Sequence, residues 1–250
     1  MNSTTEVNHE KLMELFGSVF NDVAGSMAIM MSYLGDQTGV YRAMDKLGPA
    51  SVEEIAKESN VDERYLLEWL SSNSGRGYVT YHDDEEKFSL SPEQAAVFAR
   101  ENEPTCIQGL VQGVVGQFVK EDVAVDVFQT GRGRPWGEHH ECCFCGTERF
   151  FRPAYAGHLL EEWIPAMEGV EDKLKKGAKV ADIGCGLGTS SMLMAEQYPN
   201  STIHAFDFHE PSIEEAKKRA EERGLSNLEF FVSDAAAIPK ESYDLACIFD

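Results

Sequence analysis

The residues best suited to chemistry stand in one run, Lys179-Val180-Ala181-Asp182-Ile183-Gly184-Cys185-Gly186-Leu187-Gly188-Thr189-Ser190. Val180 to Ile183 reads as a buried strand, three glycines follow at alternate positions, and Ser191 to Tyr198 reads as the next helix. Glycines at the carboxyl end of such a strand permit a tight turn and close backbone approach, which suits a nucleotide-type ligand at the mouth of a parallel sheet. Dinucleotide folds share a glycine trio, so it does not choose the ligand by itself. Asp182 narrows the choice, because a carboxylate at a strand position is costly unless something pairs with it.

A second group of reactive side chains lies upstream: Trp136, His139, His140, Glu141, Cys142, Cys143 and Cys145. Imidazole, carboxylate and thiolate are the donor types zinc takes, but Cys143 and Cys145 are one residue apart, not the two to four of a zinc knuckle. Three readings stay open: a metal site, a loop with buried thiols, and part of a substrate pocket. No metal is expected on balance. Trp136 and Tyr155 are flat apolar walls for a small organic substrate, and His139 or His140 is the candidate base for an acidic acceptor.

These groups need elements to hold them. Apolar residues at helical spacing predict helices from Lys11 to about Val23 and from about Ser26 to Leu47. Ser51 followed by Glu54 has capping-box spacing and opens a short helix to Lys57, and a second helix begins at Asp62. Tyr78 to Tyr81, the acidic turn Asp83 to Glu86, and Phe88 to Leu90 suggest a hairpin. Helix, turn, helix and hairpin is the plan of a winged helix. Pro92 to Arg100 and Gly109 to Val119 read as helices, Phe128 to Glu148 as irregular, and Pro153 to about Val170 as one or two helices carrying the stripe Phe151, Tyr155, Leu159, Leu160, Trp163, Ile164. Lys175 to Ala178 reads as a linker. Thr202 to Phe206, Leu228 to Val232 and Asp244 to Phe249 are the later strands, with a helix from Glu210 to about Arg223 stopped by Gly224.

The stretch Asp182 to Thr189 resembles the first motif of class I S-adenosylmethionine-dependent methyltransferases, in which an acidic residue precedes a Gly-x-Gly-x-Gly run. The resemblance continues in order. Asp207, at the end of the second strand, matches the acidic residue that holds the ribose hydroxyls, and Phe208 is then placed beside the adenine. Ser233, Asp234 and Ala235 match the loop facing the adenine amino group, and Asp250 ends the fourth strand. The resemblance therefore implies S-adenosyl-L-methionine as cofactor, held by Asp182, Gly184, Cys185, Gly186, Gly188, Thr189, Asp207, Phe208, Ser233, Asp234, Ala235 and Asp250. It implies an α/β fold: a Rossmann-like class I methyltransferase domain, incomplete here, preceded by a mainly helical winged-helix-like domain.

The whole chain is also similar in organisation to small-molecule methyltransferases that place a winged-helix-like dimerisation domain before the catalytic fold. The expected division is 1–100 for that domain, 101–178 for a helical linker and substrate cover, and 179–250 for the start of the cofactor domain. The family's sheet has seven strands in the order 3-2-1-4-5-7-6. This chain ends after the fourth, so the expectation is a fragment, or a sheet completed by another chain, with Leu245, Ala246, Ile248 and Phe249 on an apolar edge.

The expected function is methyl transfer to a small organic acceptor. The alternative is a non-catalytic, cofactor-binding or transcription-regulatory protein built on the helix-turn-helix. Charge weighs against nucleic acid: 22 Lys plus Arg face 43 Asp plus Glu, a net charge of −21. The candidate recognition helix holds Asp62, Glu63 and Glu68 against Arg64, and the wing holds Asp83, Asp84, Glu85 and Glu86 against Lys87. A homodimer through the first domain is expected instead. The longest apolar run, near Met27 to Met31, falls far short of the roughly 20 residues that cross a bilayer. Six cysteines without a secretory signal fit a reducing cytoplasm.

Overall fold

The computed structural model describes residues 7–238 and 243–249. Two compact units divide the chain, Met1–Arg100 and Glu101–Asp250.

The first unit opens with a single long helix, α1 (His9–Gln37), capped by the Asn8 side chain, and then α2 (Val40–Leu47). The break expected near Gly25 and Ser26 is absent: the Ser26 hydroxyl bonds back to the Val23 carbonyl, and the helix runs on. The chain turns instead at Gly39, whose φ of 76° lies in the left-handed region. Ser51 and Glu54 form the anticipated capping box at the start of α3 (Val52–Ser59), and Asp62 caps α4 (Glu63–Gly75). Strands β1 (Thr80–His82) and β2 (Lys87–Ser89) pair antiparallel, with Tyr81 opposite Phe88, and α5 (Pro92–Phe98) follows. This is the winged helix-turn-helix arrangement. Its core gathers Tyr41, Met44, Ile55, Leu70 and Trp69, whose indole donates to the Met31 carbonyl at 2.7 Å. At Gly35 any Cβ would fall 2.3 Å from the Trp69 ring, so only glycine lets α1 come this close.

In the second unit α6 (Gln108–Val119) and α7 (Glu121–Thr130) precede a single 3-10 turn, Trp136–Glu138. Helix α8 (Glu141–Ala154) then runs directly into a π-helical stretch, Tyr155–Trp163. The irregular segment expected from Phe128 to Glu148 is thus confined to about ten residues, because His140 caps α8 and its first turns carry the cysteines. Pro153 lies inside the helix rather than at its start. Its missing N–H and its ring disturb the ladder just where the helix widens. Gly109, Gly113 and Gly146 bring α6 against α8, and a Cβ at Gly146 would lie 2.5 Å from the Gly113 nitrogen. Helix α9 (Val170–Lys176) takes up half of the expected linker.

Strands β3 (Lys179–Ile183), β4 (Thr202–Asp207), β5 (Leu228–Val232) and β6 (Leu245–Ile248) form one parallel sheet in the order β5-β4-β3-β6. Helices α10 (Thr189–Gln197) and α11 (Glu210–Glu222) cross between the strands. Leu159, Ile164 and Leu174 share one core with Val180, Ile203, Met192 and Ile213, so the helical segment and the sheet are packed as one body. Among the described residues no strand pairs with the free side of β6, where Ile248 is 77% exposed.

Candidate cofactor and acceptor site

Strand β3 ends at Ile183, and the chain turns through Gly184, Gly186 and Gly188 at φ of 77°, 53° and 78°. The turn is hung from the neighbouring strand. Gly184 and Cys185 N–H groups donate to the Phe206 carbonyl at 2.8 and 3.0 Å, and Gly186 N–H donates to Asp207 Oδ2 at 2.9 Å. The glycines have different reasons to be glycine. A Cβ at Gly188 would strike the Phe230 ring at 2.8 Å, whereas at Gly184 and Gly186 it would meet nothing within 4 Å among the described residues. The latter two face open space.

That space is a cavity of about 200 Å³. Gly184, Cys185, Gly186 and Leu187 border it on the loop side, with Asp207 and Ser212, while Trp136, Phe144, Phe151, Tyr155 and Phe249 wall it with rings. Thr147, Glu148, Thr189 and Ser190 complete the lining. The two aspartates at the strand ends are placed differently. Asp207 is half-buried at the rim, and its Oδ1 accepts the His209 N–H at 2.8 Å. Asp182 is wholly buried; its Oδ2 accepts the Ser190 and Ser191 hydroxyls at 2.7 and 2.5 Å, and Oδ1 has no hydrogen-bond partner among the described residues. Burial pushes the Asp182 carboxyl above the usual range, against the two serine hydrogen bonds and with a push from the Asp207 charge.

Of the residues singled out from sequence, Trp136, Tyr155, Gly184, Cys185, Gly186, Thr189 and Asp207 meet around this cavity. Asp182 and Gly188 sit behind the loop. Phe208 is 59% exposed and outside the lining, and Asp234 caps the short turn Ala235–Ala237 by accepting the Ala236 N–H at 2.8 Å, with Ser233 beside it. Asp250 lies outside the described residues. Neither histidine lines the cavity. His139 packs on Trp136 at 5.3 Å between ring centroids, and its Nδ1 is buried without a partner among the described residues; burial and then the Arg134 charge hold its pKa below the ordinary value, against the opposing charge of Glu138. His140 Nδ1 accepts the Cys142 N–H at 3.2 Å and so serves as a helix cap.

Phe144, Thr147, Glu148 and Phe249 are site residues that sequence reading did not select. All but Phe249 lie on α8, and the breakers just before Glu141 concealed that helix. Cys142 and Cys143 are buried on the same helix, where Cys143 accepts from the Gln117 amide at 3.4 Å. Among the described residues no group of three or more His, Cys, Asp or Glu is arranged to hold a metal ion.

Residues 174–250 match a family described as "Methyltransferase domain", and residues 25–100 match the "Rv2258c-like winged HTH domain". This chain contains a methyltransferase domain. Its sequence is 42% identical over 72 residues to the aklanonic acid methyltransferase DauC of Streptomyces sp. (strain C5), across 28% of this chain and 33% of that protein. The chain thus spans about a third of the length of that curated relative. Among solved structures, the mitomycin 7-O-methyltransferase MmcR superposes with a TM-score of 0.67 at 15% identity, over 96% of this chain and 72% of that one. Human N-acetylserotonin methyltransferase in complex with SAM gives 0.63 at 15%, over 98% and 71%. At this identity the likeness establishes the fold: a winged helix-turn-helix domain followed by the class I methyltransferase α/β core. No helix among the described residues is long and apolar enough to cross a membrane.

Proposed function

We propose that this chain binds S-adenosyl-L-methionine at the exit of β3 and serves methyl transfer to a small organic acceptor. The observation that carries the reading is the cradle at Gly184 and Gly186, where a side chain would fill the space next to the Asp207 carboxylate. The glycine turn suits the amino-acid end of the cofactor. Asp207 keeps acceptor capacity for ribose hydroxyls, since an ionised carboxylate has about four lone-pair sites and two are taken. Phe208 and the loop Ser233, Asp234, Ala235 stand at the neighbouring strand exits, where the adenine end would lie, and Asp250 keeps the place that the family resemblance gives it. The bound cofactor supplies an electrophilic methyl group. The protein's part is placement, exclusion of water and, for an acidic acceptor, removal of a proton.

Trp136 and Tyr155, with Phe144 and Phe151, form flat walls for the acceptor. Of the two histidines, His139 fits the base better: its depressed pKa keeps the imidazole neutral, and it leans on a wall residue. His140 spends its Nδ1 on the cap. With methyl transfer measured from labelled cofactor, His139→Ala is expected to lose roughly 10²-fold in turnover while cofactor affinity holds. Turnover equal to the parent in both His139→Ala and His140→Ala removes the base and leaves proximity as the catalytic device.

The first unit is proposed to pair two copies of the chain. On α1, Leu12, Leu15, Phe16, Val19, Val23 and Met27 follow helical spacing and are between 47% and 64% exposed, a continuous apolar stripe. The acidic α4 and wing are poorly suited to phosphates, so duplex DNA is not the partner. Sedimentation is expected to show a dimer that Phe16→Glu with Val23→Glu converts to monomer; a monomeric parent contradicts it. Six cysteines in a chain of this length suit a reducing compartment such as the cytoplasm.

A further inference from the structure

We infer that Glu148 and Thr189 form a positioning pair that ties the glycine turn to the helix walling the acceptor side of the cavity; this rests on reading the cavity as the cofactor site. Thr189 is the first residue of α10, directly after Gly188, and its hydroxyl donates to Glu148 Oε1 at 2.7 Å. Glu148 sits on α8, the helix that also presents Phe144, Thr147 and Phe151 to the cavity. One hydrogen bond thus joins the end of the cofactor turn to the acceptor wall.

The carboxylate is itself held in place. Arg152 donates from Nε to Oε1 at 2.8 Å and from Nη2 to Oε2 at 2.5 Å, and Arg219 on α11 stands 3.9 Å from Oε1. The Glu148 side chain is only 10% exposed. Burial pushes the carboxyl up, but the bonds from Arg152 and Thr189 and the two guanidinium charges outweigh it and hold the group below its ordinary range. An ionised carboxylate pinned by two arginines is a poor proton acceptor and a good anchor. The same pair borders a second cavity, of about 400 Å³, onto which Arg152, Arg219 and Arg223 open. Glu148 and Thr189 therefore form part of the partition between the two spaces. Any shift of the turn on cofactor binding is passed to α8, and by linkage an ordered α8 favours the cofactor equally.

The test uses S-adenosylhomocysteine as probe, with calorimetry for affinity and amide hydrogen exchange for α8. In the parent chain the probe should bind and slow exchange across Glu141–Ala154. Glu148→Ala and Thr189→Val should each weaken binding about tenfold, the double variant should be no weaker than either single one, and the added protection of α8 should vanish in all three. Glu148→Gln keeps an acceptor oxygen for Thr189 but sets an NH2 donor against Arg152 Nη2, so its loss should fall between those of Glu148→Ala and Thr189→Ser, and Thr189→Ser, which keeps the hydroxyl, should retain the added protection of α8. A Thr189 that only touches the ligand predicts weaker binding with α8 protection intact; that result, or additive losses in the double variant, overturns the coupling. If Glu148→Ala does not fold, the comparison of Thr189→Val with Thr189→Ser decides. A parent that fails to bind the probe removes the cofactor reading first, and the coupling falls with it.

Discussion

At the end of β3, Asp182 is sealed from solvent and takes two serine hydroxyls; at the end of β4, Asp207 takes two backbone N–H groups at the rim of a cavity. Both are acids at adjacent strand exits, and both are implied cofactor residues by family resemblance. Their surroundings assign them different work. Asp182 fastens the first turn of α10 to the sheet through Ser190 and Ser191, so it shapes the glycine turn from behind. Asp207 holds the turn through Gly186 and keeps a face toward the ligand. The glycines divide in the same way, with Gly188 packed against Phe230 and Gly186 facing open space.

The largest expected effect comes from that division. Gly188→Ala forces a Cβ into the Phe230 ring at a left-handed φ, and thermal unfolding should show a loss of about 2–5 kcal/mol. Gly186→Ala has the backbone strain without the clash, about 1–2 kcal/mol, and should weaken ligand binding more than it weakens the fold. Equal destabilisation by the two would erase the distinction between packed and ligand-facing glycines.

Asp182 comes next. Asp182→Ala leaves two buried hydroxyls without their acceptor, at roughly 1–3 kcal/mol for each group left unpaired. Asp182→Asn keeps an acceptor oxygen and carries no charge. Because the folded-state pKa of Asp182 is raised, the folded protein binds the proton more tightly than the unfolded chain does. The parent therefore loses stability as pH rises from the unfolded carboxyl value, about 3.9, through the raised folded value, and levels off above it. Asp182→Asn lacks this dependence, so the stability of the parent minus that of the variant should fall with rising pH across the acidic range. A difference that rises with pH would mean that the carboxylate is paired rather than merely buried.

Much of this site was legible in the sequence because its signals are local. Alternating glycines after an apolar run mark a strand exit, and Asp207 sits at a strand end whose length the apolar pattern sets. The four strands and the helices between them follow from the same pattern. What escaped was carried by contacts between distant residues. Glu148 and Thr189 are 41 positions apart, and nothing near either announces the other. Helix α8 was hidden by Gly131, Gly133, Pro135 and Gly137 just upstream, although they break only the segment before its cap. In α1 a glycine inside a long helix costs only about 1 kcal/mol, which the rest of the helix absorbs, so Gly25 was a poor guide to its end. The burial of Asp182 likewise depends on Ser190 and Ser191 folding back over it, which spacing alone does not reveal.

The contrast between the two carboxylates has its most direct test in cofactor affinity. Calorimetry with S-adenosylmethionine and S-adenosylhomocysteine should show both binding to the parent chain, and Asp207→Ala should weaken both by at least about tenfold, or 1.4 kcal/mol, while remaining folded. A folded Asp207→Ala chain that binds with the affinity of the parent would contradict the account, because the carboxylate facing the cavity would then play no part in holding the ligand.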